Sequence, residues 1–272
     1  MANQKVALIT GVSSGIGLAT AKKLLNRGFH TFGTIRETSH PGGLAAGLEM
    51  VRLDVRDDES VRHGIQEVLD RAGRIDALIN NAGTVLFGSL EETSIDEAKE
   101  LFETNFFGVL RMCQAVLPIM RQQNFGRIIN ISSVLGFLPA PYMGIYAATK
   151  HAIEGYSASL DHEVRRFGIR VSMIEPGFTR TNLSQKGQLV RQPLADYSVE
   201  LRNVMDAVAR SIADGAQPET VASVVVRALT DRNPRLRYAG GREAKILSVL
   251  KRFAPSGILD NGVRKQFGLA TG

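Results

Sequence analysis

Seven short runs dominated by Val, Ile, Leu and Phe recur along this chain, at residues 5–10, 29–35, 50–53, 75–80, 126–131, 169–175 and, more weakly, 236–239. Most are separated by a dozen or more residues whose apolar positions repeat at the helical period. Strand, helix, strand in succession calls for parallel strands joined by right-handed crossovers. The runs are near-continuous rather than alternating, so both sheet faces must be covered. The pattern predicts an α/β chain: a single doubly wound Rossmann-type domain, 1–272, with a parallel sheet of about seven strands and helices on both faces. No Pro-, Gly- or Ser-rich linker and no repeat divides it.

Two stretches break the alternation. Residues 182–213 form a long connection of mixed polarity after the sixth run, and connections of that length usually serve as lids or binding loops. We read it as a substrate-loop insertion. Residues 232–272 form a basic C-terminal extension, with nine Lys and Arg residues against Glu243 and Asp260, in a chain whose net charge is +6. Within it, residues 242–253 have the pattern of an amphipathic helix ended by Pro255. Basic residues interleaved with Leu and Phe read as an ordinary amphipathic cover over the domain. An anionic membrane surface is a second reading, leaving a peripheral membrane contact open, and nucleic-acid binding a third. No base-reading motif accompanies the charge, so no nucleic acid is expected as partner.

The single cysteine, Cys113, excludes an intrachain disulfide and reads as a small buried hydrophobe. No apolar stretch reaches the length of a transmembrane segment, and the apolar run after residue 5 is too short for a signal peptide. A cytoplasmic location is expected, and no metal site.

The first run leads into Thr10-Gly11-Val12-Ser13-Ser14-Gly15-Ile16-Gly17 at the start of the first helical stretch. Glycines there allow a tight turn and close backbone approach to a pyrophosphate, and the helix N-terminus offers unpaired N–H groups and a positive dipole end. The spacing is G-x-x-x-G-x-G rather than G-x-G-x-x-G.

These residues, with Asn80-Asn81-Ala82-Gly83 after the fourth run, Tyr146-Ala147-Ala148-Thr149-Lys150 and Pro176-Gly177, resemble the classical short-chain dehydrogenase/reductase family in order and spacing over roughly residues 5–181. The resemblance implies an oxidoreductase acting on a carbonyl or hydroxyl group, with Asn105, Ser133, Tyr146 and Lys150 as the catalytic residues. It implies cofactor contacts at Gly11, Ser13, Ser14, Ile16, Gly17, Asn81, Ala82, Gly83, Tyr146, Lys150, Pro176, Gly177, Thr179 and Thr181, and an adenine-contacting pair at Asp54 and Val55. Ser133 is chosen over Ser132 because the family's serine stands thirteen residues before the tyrosine. Asn105 is implied to fix a local helix distortion and a proton-relaying water.

Tyr146 and Lys150 stand four apart on one face of a helical stretch, 143–167. An ammonium beside a phenol favours the phenolate, so the Tyr146 pKa should fall. Arg36 follows the second run where NAD-preferring relatives carry an acid; a guanidinium there suits a 2′-phosphate. NADP(H) is the expected cofactor and NAD(H) the second choice, Glu37 being the residue that could take the ribose instead. Around the reacting carbon we expect Val85, Leu86, Phe87, Leu135, Phe137, Leu138, Met143 and Phe178. So apolar a set suits a hydrophobic ketone, aldehyde or alcohol. An NADP(H)-sensing regulator without turnover is the alternative. The family resemblance also implies a homodimer or homotetramer.

Overall fold

The computed structural model describes residues 4–36, 44–184 and 187–270. Among the described residues nine strands form: β1 (Val6–Ile9), β2 (His30–Ile35), β3 (Glu49–Arg52), β4 (Ala77–Asn80), β5 (Leu86–Phe87), β6 (Gly126–Ile131), β7 (Ile169–Glu175), β8 (Gln188–Leu189) and β9 (Arg237–Ala239). The α-helices described between and after them are α1 (Gly15–Leu25), α2 (Asp58–Ala72), α3 (Ile95–Phe102), α4 (Gly108–Gln122), α5 (Gly144–Val164), α6 (Ser198–Ala213), α7 (Pro218–Thr230), α8 (Arg242–Phe253) and α9 (Ser256–Gln266). Seven strands make one parallel sheet in the order β3-β2-β1-β4-β6-β7-β9, and all seven correspond to the expected runs.

Strand side chains alternate between the two faces, and the burial pattern follows. Val6 and Leu8 pack with Phe32, Leu78 and Ile128 under α2, α4 and α5. Ala7 and Ile9 pack with Ile79, Ile129 and Ile174 under α1 and α7. Emptying a site such as Leu8 would cost about 2–5 kcal/mol. Local signals fix the helix ends. Asp57 accepts from the Ser60 N–H at 2.6 Å, Gly73 closes α2 at φ 70°, and Ser94 with Glu97 forms a capping box on α3.

The chain order reverses between β1 and β4, so their C-terminal ends border the crevice where ligands of open α/β sheets bind. A third apolar cluster sits beyond that edge and belongs to neither sheet face. Two-residue strands β5 and β8 pair in parallel and pin the stretch after residue 187 to the loop after β4. Neither was expected, since two residues carry no periodicity. Helix α9 was also unforeseen. The expected helix 143–167 is α5, continued by a 3₁₀ turn at Arg165–Phe167.

Candidate active site

Three close approaches assemble the crevice. A Cβ on Gly11 would stand 3.0 Å from the Ala82 Cα, one on Gly15 3.1 Å from Thr181 Cγ2, and one on Gly17 2.5 Å from Asn81 Nδ2. Gly11 and Gly15 also have φ of 71° and 59°, in the left-handed region that disfavours a side chain. The glycine turn thus touches the loop after β4 and the loop after β7 together. Thr10 and Asn81 lock this arrangement. Asn81 Nδ2 donates to the carbonyls of Thr10 and Gly11 at 3.0 and 2.9 Å, and the N–H groups of Asn81 and Ala82 donate to Thr10 Oγ1.

The N-terminus of α1 has no side-chain cap from Ser14 and no acid in its first turn. Ser13 and Ser14 lie at this turn, and Ile16 packs back against the sheet. The free N–H groups and the crowding that only glycine tolerates fit a bound pyrophosphate.

Asn105 lies inside a five-residue π-helical turn, Glu103–Phe107, between α3 and α4. It is buried, and all its amide groups are used. Oδ1 accepts from the Thr84 N–H at 2.9 Å, while Nδ2 donates to the Thr84 carbonyl at 2.9 Å and to Thr149 Oγ1 at 3.2 Å. The distortion aims a polar side chain from a helix interior at the segment after Gly83 and at α5, next to Lys150.

Ser133 begins a 3₁₀ turn, Val134–Gly136, and accepts from the Leu135 N–H at 3.1 Å. Val134 N donates to the Pro176 carbonyl at 2.9 Å, which fixes this turn to the Pro176-Gly177 loop. Tyr146 and Lys150 are both buried on one face of α5. The Lys150 ammonium donates to the Ile131 carbonyl at 2.9 Å and lies 5.6 Å from the centre of the Tyr146 ring.

The expected fall in the Tyr146 pKa is not found in the protein alone. Burial pushes the phenol up to about 12, with the adjacent Ser133 hydroxyl opposing. The same burial pulls Lys150 down to about 8, opposed by the charge of Glu154. An ammonium held by a carbonyl and pointed across the ring does not act on the phenol oxygen strongly enough to outweigh desolvation.

Sequence reading missed what stands behind Lys150. Glu154, one turn further along α5, is buried and accepts from Arg237 Nε of β9 at 2.9 Å. Arg237 also faces Glu175, the last residue of β7, at 3.4 Å. Burial and the Glu154 charge raise Glu175 to about 7, Arg237 opposing. The other Glu154 oxygen, Oε1, and the buried Ser132 Oγ have no partner among the described residues. The i+4 and i+8 spacing from Tyr146 was the signal for Glu154. From α8, Glu243 accepts from the Phe178 N–H at 3.2 Å and packs on Gly177. Cys113 is buried as expected, its thiol raised to about 12 by desolvation.

After β7, Thr179 Oγ1 donates to the Gly177 carbonyl at 3.1 Å, and the Thr181 N–H donates to the Thr179 carbonyl at 2.7 Å. At the far end of the crevice, Arg36 follows β2 and lies near enough to Asp54 to help hold its carboxyl low. The larger cause is Arg56, whose guanidinium bonds both Asp54 oxygens. Val55 is buried against Gly108. Glu37 falls outside the described residues.

All eight residues expected around the reacting carbon fall in the third apolar cluster with Tyr146. The insertion contributes Val190, Leu201 and Val204 to it, and the C-terminal extension Ala244 and Phe267.

A doubly wound sheet with a glycine cradle at its switch point, and a Ser–Tyr–Lys group at the same edge, defines a class: an oxidoreductase of the dinucleotide-binding α/β type. The family model for short chain dehydrogenases matches residues 5–190. The chain is 35% identical over 264 residues to a 3-ketodihydrosphingosine reductase of Bacteroides thetaiotaomicron, covering 96% of this chain and 97% of that protein. A short-chain dehydrogenase/reductase of Burkholderia phymatum, solved with NAD, superposes with a TM-score of 0.79 at 26% identity, covering 92% of each chain. ElxO, solved with NADP bound, superposes at 0.72 and 27% identity, covering 88% of this chain and 98% of that one. The chain belongs to the short-chain dehydrogenase family. No described helix is long and apolar enough to cross a membrane.

Proposed function

We propose that this protein transfers a hydride between NADP(H) and a hydrophobic ketone, aldehyde or secondary alcohol. The observation that carries the reading is the burial of Tyr146 in the same apolar cluster that receives the insertion and the C-terminal extension, one turn from Lys150 and against Ser133. In this reading the nicotinamide supplies or accepts the hydride. Ser133 Oγ donates to the substrate oxygen and holds it against Tyr146. The Tyr146 phenol, protonated at ordinary pH, gives its proton to that oxygen during reduction. The Lys150 ammonium steadies the phenolate left behind, and Asn105 fixes the backbone beside it through Thr84 and Thr149. The apolar roof excludes water and selects hydrophobic substrates.

The preference for NADP(H) over NAD(H) rests on Arg36, exposed at the tip of β2 and in no salt bridge with a described residue. The similarity to a ketodihydrosphingosine reductase supports a lipophilic carbonyl as substrate. A homodimer or homotetramer is proposed on the family's habit alone.

The test is NADPH consumption against a panel of hydrophobic ketones and aldehydes, with Tyr146→Phe beside the wild type. Turnover that disappears in the variant while NADPH binding persists is expected. Near-normal turnover in Tyr146→Phe would overturn the role given to Tyr146.

A further inference from the structure

Helix α8 has two faces with opposite surroundings. Its inner side carries Ala244, fully buried in the apolar cluster around Tyr146, and Leu247, packed against that cluster. Its outer side carries Ile246, Val249, Leu250 and Phe253, exposed at 50%, 52%, 41% and 73%. Their spacing is i, i+3, i+4, i+7, so they form one continuous apolar stripe. Ile258, 62% exposed on α9, follows after the Pro255 break. The helix covers the cluster through Ala244 and Leu247, as an amphipathic cover should, while its wider apolar stripe faces outward. Isolated exposed apolar residues need no explanation, but a helical stripe of four does.

Basic residues accompany the stripe, with Lys245 and Arg252 along one flank of it. Arg242, Lys245, Lys251 and Arg252 share the helix with it, and Arg264 and Lys265 stand on α9. None of the six is in a salt bridge with a described residue. The acid of α8, Glu243, is turned to the Phe178 N–H. A cationic and apolar helix of this kind is built for a surface that is both greasy and negative. A second copy of this chain is the wrong partner on charge. A two-fold contact would bring the basic stretch against its own equal.

We propose that α8 and the start of α9 form a docking face for an anionic lipid membrane. Apolar side chains from Ile246 to Phe253 enter the interface, and the flanking Lys and Arg residues meet the headgroups. Because the inner side of the same helix closes the cluster at Tyr146, docking sets that cluster beside the bilayer. A lipophilic compound could then pass between them without crossing water. The docking itself does not depend on the proposed reaction.

The experiment is flotation of the full-length, NADPH-loaded protein with vesicles of phosphatidylglycerol or of phosphatidylcholine alone. The wild type should float with the anionic vesicles and not the neutral ones, and about 0.5 M salt should weaken the association. Val249→Ser/Phe253→Ser and Lys245→Glu/Arg252→Glu should each reduce the floated fraction about tenfold with NADPH affinity unchanged. Failure of the wild type to float with phosphatidylglycerol would overturn the proposal, as would flotation insensitive to both double variants. A halved molar mass by light scattering in Val249→Ser/Phe253→Ser would also overturn it, by assigning the stripe to a second copy.

Discussion

The side-chain nitrogen of Asn81 lies 2.5 Å from the point where a Cβ on Gly17 would stand, and the Gly11 carbonyl lies closer still. Gly17 is therefore the site where the cofactor turn, the first helix and the loop after β4 meet without room for a methyl group. Gly17→Ala should lower stability by about 1–3 kcal/mol, as overpacking does, and weaken NADPH binding. Urea unfolding and fluorescence titration measure the two effects. Gly17→Ala/Asn81→Ala should not recover either, since the Gly11 carbonyl remains in place. Full recovery would show that the carbonyl contact is of no consequence.

Lys150 loses its proton near pH 8 in the free protein, and Glu154 is the charge that keeps it that high. The ammonium is present below that pH and absent above it. For reduction, kcat/KM should hold steady to about pH 7 and decline above pH 8. In Glu154→Gln the decline should begin at lower pH, with the rate at pH 6 little changed. A purely structural role for Glu154 would lower the whole profile without shifting it.

Glu175 is raised in the folded protein to about 7 from 4.5. A raised acid holds its proton more tightly folded than unfolded, so this contribution to stability is complete below about pH 4.5 and lost as pH rises through 7. Glu175→Gln should match the wild type near pH 4 and exceed it at pH 8, by up to about 3 kcal/mol. Melting curves at the two pH values decide this, and an equal offset at both would contradict it.

Arg36→Ala should weaken NADPH binding about tenfold or more, the scale of a charge-assisted phosphate contact, while leaving NADH within about twofold. Equal losses for both cofactors would remove the basis for the NADP preference.

The sheet was legible because its strands are long enough to show their composition and its helices long enough to show their period. The glycine turn was legible because Gly11 and Gly15 take backbone angles that other residues resist. Contacts made by ordinary residues across long separations were not. Arg237 reaches Glu154 over 83 positions, and nothing in its neighbours signals a buried acid pair. The direction of the Tyr146 shift was missed for a related reason. Helical spacing gave the proximity of Lys150 but not the burial that outweighs it. The outward direction of the stripe on α8 was not legible, because periodicity gives the width of an apolar face and not the side to which it turns.

Every residue read as catalytic or cofactor-binding lies at or before Thr181. Much of the roof over Tyr146 comes from later in the chain: Val190, Leu201 and Val204, then Ala244 and Phe267. The family model ends at residue 190. In the proposed reading the chemistry belongs to residues up to Thr181, while the substrate cluster is shared between that part and the stretches after it. Exchanging the stretch after Thr181 between relatives should redirect the enzyme to new molecules while its proton and hydride steps pass on intact.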